Sequence, residues 1–219
     1  MKVLVLCDDY WHPGEVVQLG LAPLESSNLQ FEFVNCCKDI LTVEKIRNYP
    51  LIINCKMNEI TSANNHPWFD EGVTEVAVSD FCDYVENGGG FLSLHAGNAY
   101  FNDKAEDAAY VNFVGNYFIQ HPPRCDMEVR ITAQHPVTQG VGNFTLRDEH
   151  YEIAVVADNA QTICTTHSAT GGDQIGGYVR EIGKGRMCVL TPGHILDVWH
   201  NPEYQKMLIN AMRWCAGES

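Results

Sequence analysis

No apolar run in the sequence approaches the roughly 20 residues that cross a bilayer. The chain passes from Met1 directly into Lys2-Val3-Leu4-Val5-Leu6, without the longer apolar stretch of a secretory signal. No membrane anchor is expected, and the expected compartment is the cytoplasm. Positive charge is scarce: 14 Lys and Arg stand against 28 Asp and Glu, a formal net charge of -14. That balance opposes nucleic-acid phosphates and anionic lipid, so neither nucleic acid nor membrane is an expected partner. No Cys-x-x-Cys occurs, which removes the usual thiolate zinc spacing. The 9 cysteines are odd in number and include the adjacent Cys36 and Cys37, so no disulfide framework is expected. Cys7, Cys55, Cys164 and Cys188 lie in or at the end of β-rich apolar runs, where a free thiol acts as a small buried hydrophobe. Repeats, low-complexity stretches and Pro/Ser linkers are also missing, so residues 1–219 are expected to form a single domain.

A phosphate loop is lacking too. Gly88-Gly89-Gly90 precedes an apolar run instead of following one, and no Gly-Lys-Ser or Gly-Lys-Thr follows, so no nucleotide cofactor is expected. What is present is an alternation of short apolar runs with helical patterns. Val3 to Cys7, Leu51 to Cys55 and Phe91 to Leu94 read as strands buried on both faces of a parallel sheet. Leu29, Phe31 and Phe33 alternate as a further strand. Glu15 to Leu24, a segment capped by Thr42, Val73 to Val85 and Ala105 to Val114 carry helical spacing. The second half adds strands around Met127 to Ile131, Ile153 to Val156 and Thr162 to Thr166, then Tyr178 to Ile182 hairpinned to Met187 to Leu190, and a closing helix from Glu203 to Cys215. This order predicts a three-layer α/β fold, flavodoxin-like, with a mainly parallel central sheet.

In such sheets ligands bind beyond the carboxyl ends of the strands. Three histidines follow strands: His12 after a short loop, His95 directly, and His194 after Thr191-Pro192-Gly193. Leu94-His95-Ala96-Gly97 resembles a nucleophile elbow, with histidine where a nucleophile would stand. Asp148-Glu149-His150-Tyr151 adds carboxylates ahead of a strand. His121 and His135 each precede proline, where a turn role is expected. His66 lies in a long polar stretch that is expected to serve as a lid or an oligomer contact, and the aromatics of that stretch suggest a homo-oligomer.

Read in order, Asp9-Tyr10-Trp11-His12, Gly90-Phe91-Leu92-Ser93-Leu94-His95-Ala96-Gly97, His135-Pro136-Val137-Thr138-Gln139-Gly140, Asp148-Glu149-His150-Tyr151, Gly183-Lys184-Gly185-Arg186, Pro192-Gly193-His194 and the segment from Ile209 to Gly217 resemble the motifs of ThuA-like trehalose utilisation proteins from end to end. The resemblance implies a fold like that of class I glutamine amidotransferases, with histidine replacing the nucleophilic cysteine. It implies site positions at His12, His95, Glu149 and His194, and a role in catabolism of trehalose or related glycosides through 3-keto sugars. His150 in the variable slot and the cysteine-rich interior are departures from the pattern.

Trp11, Tyr100, Tyr151 and Trp199 neighbour these positions, and aromatic rings of that kind stack on the apolar face of a pyranose. A small sugar or keto sugar is the expected partner. Histidine and glutamate suit proton transfer at neutral pH. The same set of His12, His95 and His194 with Glu149 suits zinc or another divalent metal, and the spacing does not choose between the two. Two other readings remain open: a diverged amidotransferase-like hydrolase using Cys7 or Cys55, and a sugar-binding accessory subunit without catalysis.

Overall fold

The computed structural model describes residues 1–218 other than 36, 38, 39, 59–67 and 71–73. The doubly buried apolar runs form β1 (Lys2–Leu6), β3 (Leu51–Asn54) and β4 (Gly90–Leu94), and the alternating run forms β2 (Gln30–Val34). Between and after them lie α1 (Gly14–Leu21), α2 (Val43–Arg47), α3 (Val78–Glu86) and α4 (Ala108–Val114). The second half holds β5 (Asn116–Gln120), β6 (Cys125–Ile131), β7 (Phe144–Asp148), β8 (Glu152–Val155), β9 (Gln161–Ser168), β10 (Gly172–Ile182), β11 (Gly185–Leu190), α5 (Leu196–Trp199) and α6 (Pro202–Cys215).

Nine of these strands make one sheet in the order β2-β1-β3-β4-β11-β10-β9-β6-β7. Pairing is parallel from β2 to β11 and antiparallel from β11 to β7. β5 and β8 form a separate antiparallel ribbon. Side chains alternate across the sheet. Val3, Val5, Ile53, Leu92 and Cys188 pack with residues of α1, α5 and α6 on one face; Leu4, Leu6, Ile52, Phe91 and Val189 pack with residues of α2, α3 and α4 on the other. This is the expected three-layer architecture, with β1, β3, β4 and β11 opening their carboxyl ends on one edge.

Local chemistry sets the boundaries. Thr42 accepts the amide of Lys45 at the start of α2. Asn201 accepts from Glu203 and Tyr204 at the start of α6, where Pro202 supplies a preset first turn. The β10–β11 hairpin closes between Ile182 and Gly185, and Gly183 takes a φ of +59° that suits glycine.

Some expectations need correction. Helix α3 begins at Val78, held by Asp80 accepting the amide of Ala77, so Val76 is buried ahead of the helix and Val73 lies outside the described residues. The helix expected from Ala105 opens as a 3₁₀ turn before α4. Strands β5 and β7 were not anticipated, although Phe144 and Leu146 alternate with exposed Thr145 and Arg147. Trp68 and Phe69 are buried among Phe81, Tyr100 and Tyr110, so they offer no oligomer surface; His66 lies outside the described residues. Cys7, Cys55, Cys82, Cys125, Cys164, Cys188 and Cys215 are free thiols, and Cys36 lies outside the described set. Among the described residues, no helix is long and apolar enough to cross a membrane.

Candidate active site

After β1, the Asp9 carboxylate organises its own loop. Oδ1 accepts the amides of Trp11 at 2.8 Å and His12 at 3.0 Å, and Oδ2 accepts the amide of Met57 at 2.8 Å. Both oxygens meet His12 Nδ1, at 2.8 and 2.9 Å. After β4 the chain turns so tightly that His95 takes a φ of +42°, an unusual conformation for a side chain other than glycine. A Cβ on Gly97 would stand 2.3 Å from the Asn54 carbonyl, which is why this turn requires glycine. Asn98 ties the turn to β11 by donating to the Leu190 carbonyl. His95 Nδ1 meets the Thr191 carbonyl at 2.9 Å. After β11, Gly193 has a φ of +150°, and a Cβ there would reach within 2.9 Å of His95 Cβ. The Asp148 carboxylate accepts the amides of Gly193 and His194, fixing the loop.

These anchors aim four side chains at one point. His95 Nε2 lies 3.3 Å from His194 Nδ1 and 3.5 Å from Glu149 Oε2, while His194 Nδ1 lies 3.2 Å from the same Oε2. The donor atoms of His12, His95, Glu149 and His194 all fall within 4.8 Å of one another. The imidazole centroids are separated by 5.1, 5.2 and 5.3 Å, a near-equilateral triangle of mutually edge-on rings. His12 and His95 are buried, whereas the Glu149 and His194 side chains keep 14% and 20% of their exposure and form the accessible side. A space of only about 10 Å³ lies between these three histidines and Val16, Val17, Cys55 and Trp199, and the residual exposure of Glu149 and His194 is the opening to solvent. Among the described residues, hollows of about 450 and 590 Å³ lie by Met1 and Arg213 and around His135, away from this cluster.

The electrostatics follow from the contacts. Burial would raise the Asp9 carboxyl, but hydrogen bonds from His12, Met57 and Trp11 outweigh it and hold the group below its ordinary value. Burial pushes the His12 imidazole down against its bond to Asp9. Burial acts the same way on His95, yet Glu149, Asp148 and the Thr191 carbonyl prevail and raise it. Burial would raise Glu149, but the bonds to His194 and His95 hold it well below the usual carboxylate range. Carbonyl and carboxylate oxygens only accept, so the Nδ1 atoms of His95 and His12 carry protons toward Thr191 and Asp9. When these rings are neutral, their Nε2 lone pairs face inward, beside an ionised carboxylate. A proton shared among these donors, or a cation, would balance that charge.

The structure thus unites His12, His95, Glu149 and His194, and Tyr151 with them. The Tyr151 ring stacks on His95 at 4.3 Å, and its buried hydroxyl lies 3.5 Å from His12 Nε2. Tyr100 does not face the site: its ring is stacked on Tyr110 and its hydroxyl sits between Trp68 and the Lys56 carbonyl, leaving no face for a sugar. Trp199 is also buried and donates to the Gly193 carbonyl, a supporting role under the loop. Trp11 is 60% exposed beside Tyr10 on the His12 loop. His150 turns away to Ser168 and Thr166. Sequence reasoning assigned His121 to a turn, but its Nε2 lies 3.6 Å from Glu149 Oε2 and its ring stacks on Tyr151. Asp9 and Asp148 were also missed as anchors. An aspartate three residues before His12, in a loop rich in turn formers, was the available signal for the first.

Comparison with known proteins adds to this geometry. The family profile ThuA, described as trehalose utilisation, matches residues 2–215. Among solved structures the chain superposes on a ThuA-like protein from Bacteroides uniformis ATCC 8492, with a TM-score of 0.74 and 19% identity over 98% of this chain and 91% of that one. A ThuA-like protein from Parabacteroides merdae ATCC 43184 gives a TM-score of 0.74 and 16% identity over 99% and 90%. A cytoplasmic protein from Salmonella typhimurium LT2 gives 0.63 and 18% over 100% and 98%. At these identities the likeness is one of fold. No curated protein matches the chain.

Proposed function

The chain belongs to the ThuA, trehalose-utilisation family, and from that premise we propose that it is an enzyme of carbohydrate utilisation acting on a sugar or keto sugar related to trehalose. Its reaction centre is the cluster of His12, His95, Glu149 and His194. The observation that carries this reading is the convergence of His95, His194 and Glu149 donors at 3.2 to 3.5 Å on the accessible side of the strand ends. A protonated imidazole of this cluster donates to a carbonyl or hydroxyl oxygen of the substrate while Glu149 or a neutral imidazole accepts the proton released from the adjacent carbon or from attacking water, and the carbon–hydrogen or glycosidic bond there becomes easier to break. Enolisation, isomerisation and cleavage of a keto sugar all begin in this way.

Tyr151 supplies a buried hydroxyl next to the same point, and burial raises it well above its ordinary value, so it remains a donor. Trp11, exposed beside His12, offers a ring face for a sugar. The cysteine alternative is disfavoured because the elbow holds His95, while burial raises the Cys7 thiol to about 12 and Cys55 well above the ordinary value. The cytoplasm is the proposed compartment, consistent with a chain rich in free thiols.

The test is incubation with trehalose and with chemically oxidised 3-keto trehalose, following products by NMR. The wild type should convert one of them, and His95→Ala and Glu149→Gln should not. Saturable sugar binding without product would make the protein a binding subunit. Absence of both binding and conversion would overturn the sugar reading.

A further inference from the structure

We propose that His12, His95, His194 and Glu149 form a mononuclear site for a divalent cation of the zinc class. A cation of that kind holds nitrogen and oxygen donors at about 2.0–2.1 Å in tetrahedral array, which sets neighbouring donors roughly 3.3 Å apart. The three separations in the structure, His95 Nε2 to His194 Nδ1, His95 Nε2 to Glu149 Oε2 and His194 Nδ1 to Glu149 Oε2, are 3.3, 3.5 and 3.2 Å. The rings give a second measure. An imidazole centre lies just beyond its coordinating nitrogen, so histidines sharing such a cation stand on the order of 5 Å apart, centre to centre. The triangle of His12, His95 and His194 has edges of 5.1, 5.2 and 5.3 Å.

The surroundings are those that ligand histidines require. A ligating imidazole donates its remaining N–H to a carboxylate or carbonyl, which fixes the tautomer and the ring plane. His12 does so to Asp9 and His95 to Thr191. Asp148, by accepting the amides of Gly193 and His194, fixes the loop that presents the third ring. Three imidazoles and one carboxylate suit borderline cations better than calcium or magnesium, which prefer all-oxygen shells. His12 and His95 are 8% and 2% exposed, so water has little access to the ring nitrogens that face the centre. The partly exposed Glu149 and His194 side leaves a direction of approach for a substrate oxygen.

What fills the cluster is independent of which sugar is bound, so metal alone is the probe. Tag-free protein is stripped with chelator, checked by circular dichroism, and titrated with Zn²⁺, Co²⁺ and Mn²⁺. One ion per chain is expected, with Co²⁺ giving ligand-field bands and no thiolate charge-transfer band. Glu149→Gln and His194→Ala, at the partly exposed positions, should fold and weaken binding at least tenfold. Asp9→Asn should weaken it about 10- to 100-fold through loss of ring orientation. Absence of stoichiometric binding by the folded wild type, a thiolate band, or unchanged affinity in Glu149→Gln and His194→Ala would each overturn the proposal. Metal binding by a protein that converts neither trehalose nor its keto form would leave the cation site standing and defeat only the sugar reading.

Discussion

The carboxylate of Asp148, at the end of β7, receives the backbone amide of Gly193 at 2.7 Å. β7 lies at the far edge of the sheet from β1, so this bond joins the antiparallel margin to the loop beyond the central parallel strand β11. Asp148 is fully buried and also accepts the amide of His194.

Asp148→Ala should therefore leave two loop amides without their acceptor. A destabilisation of about 3 kcal/mol is expected, since unmet buried donors cost roughly 1–3 kcal/mol each. Urea denaturation measures this, and a change within experimental scatter would show that the loop is held by other contacts.

His95→Ala should lower turnover by about 100-fold or more while keeping the native circular dichroism. The side chain points from the strand end into the cluster, and it is bonded to only one backbone carbonyl, Thr191. Stability should fall by no more than about 2 kcal/mol. A variant that fails to fold would identify His95 as a residue of the core.

In the native protein at neutral pH, iodoacetamide should leave the buried thiols unmodified. Burial raises Cys7 and Cys164 to about 12 and carries Cys55 and Cys188 well above their ordinary value. Cys82 and Cys125 are only partly covered and are the described thiols open to the reagent. Mass spectrometry should find all 9 cysteines alkylated after denaturation. Loss of activity that tracked modification of Cys7 or Cys55 would revive a thiol mechanism.

Acid should weaken the fold through His135. Burial and the Arg186 guanidinium hold this imidazole below its ordinary value, and its Nδ1 accepts the amide of Val137, a role that protonation abolishes. The unfolded chain, with a histidine pKa of about 6.5, then binds the proton more readily than the folded one. The contribution is complete above that pH and disappears as pH falls through the lower folded value. His135→Asn keeps a capping acceptor and does not titrate, so its urea midpoint should decline less than that of the wild type between pH 7 and pH 5. Parallel curves would exclude His135 as the source.

The parallel half of the fold was readable because each strand there is a compact apolar run ending in turn residues, as Leu51 to Cys55 does before Lys56. The three histidines were readable for the same reason: each stands just past such a run. The antiparallel half was less legible. β7 alternates over only five residues, and β5 interleaves Tyr117 and Ile119 with Phe118, a pattern with no clear period. Glu149 could be named but not placed, since what carries it to the histidines is a set of amide bonds to Asp148 from a loop 45 residues further along. Tyr100 was misassigned because sequence adjacency to His95 says nothing about which layer its ring enters. His121 was set aside because proline after it signals a turn, and a turn is also where a side chain can reach across to Glu149.

The four clustered side chains enter from loops after β1, β4, β7 and β11, so no contiguous segment of the chain contains the site. Its assembly must wait until the parallel strands have docked across long loops, the slowest class of contact to close. A ligand gathered by these residues would act during refolding as a cross-link between the first loop and one of the last. Its appearance in a stopped-flow trace would mark the moment when the whole sheet, rather than any single hairpin, is in register.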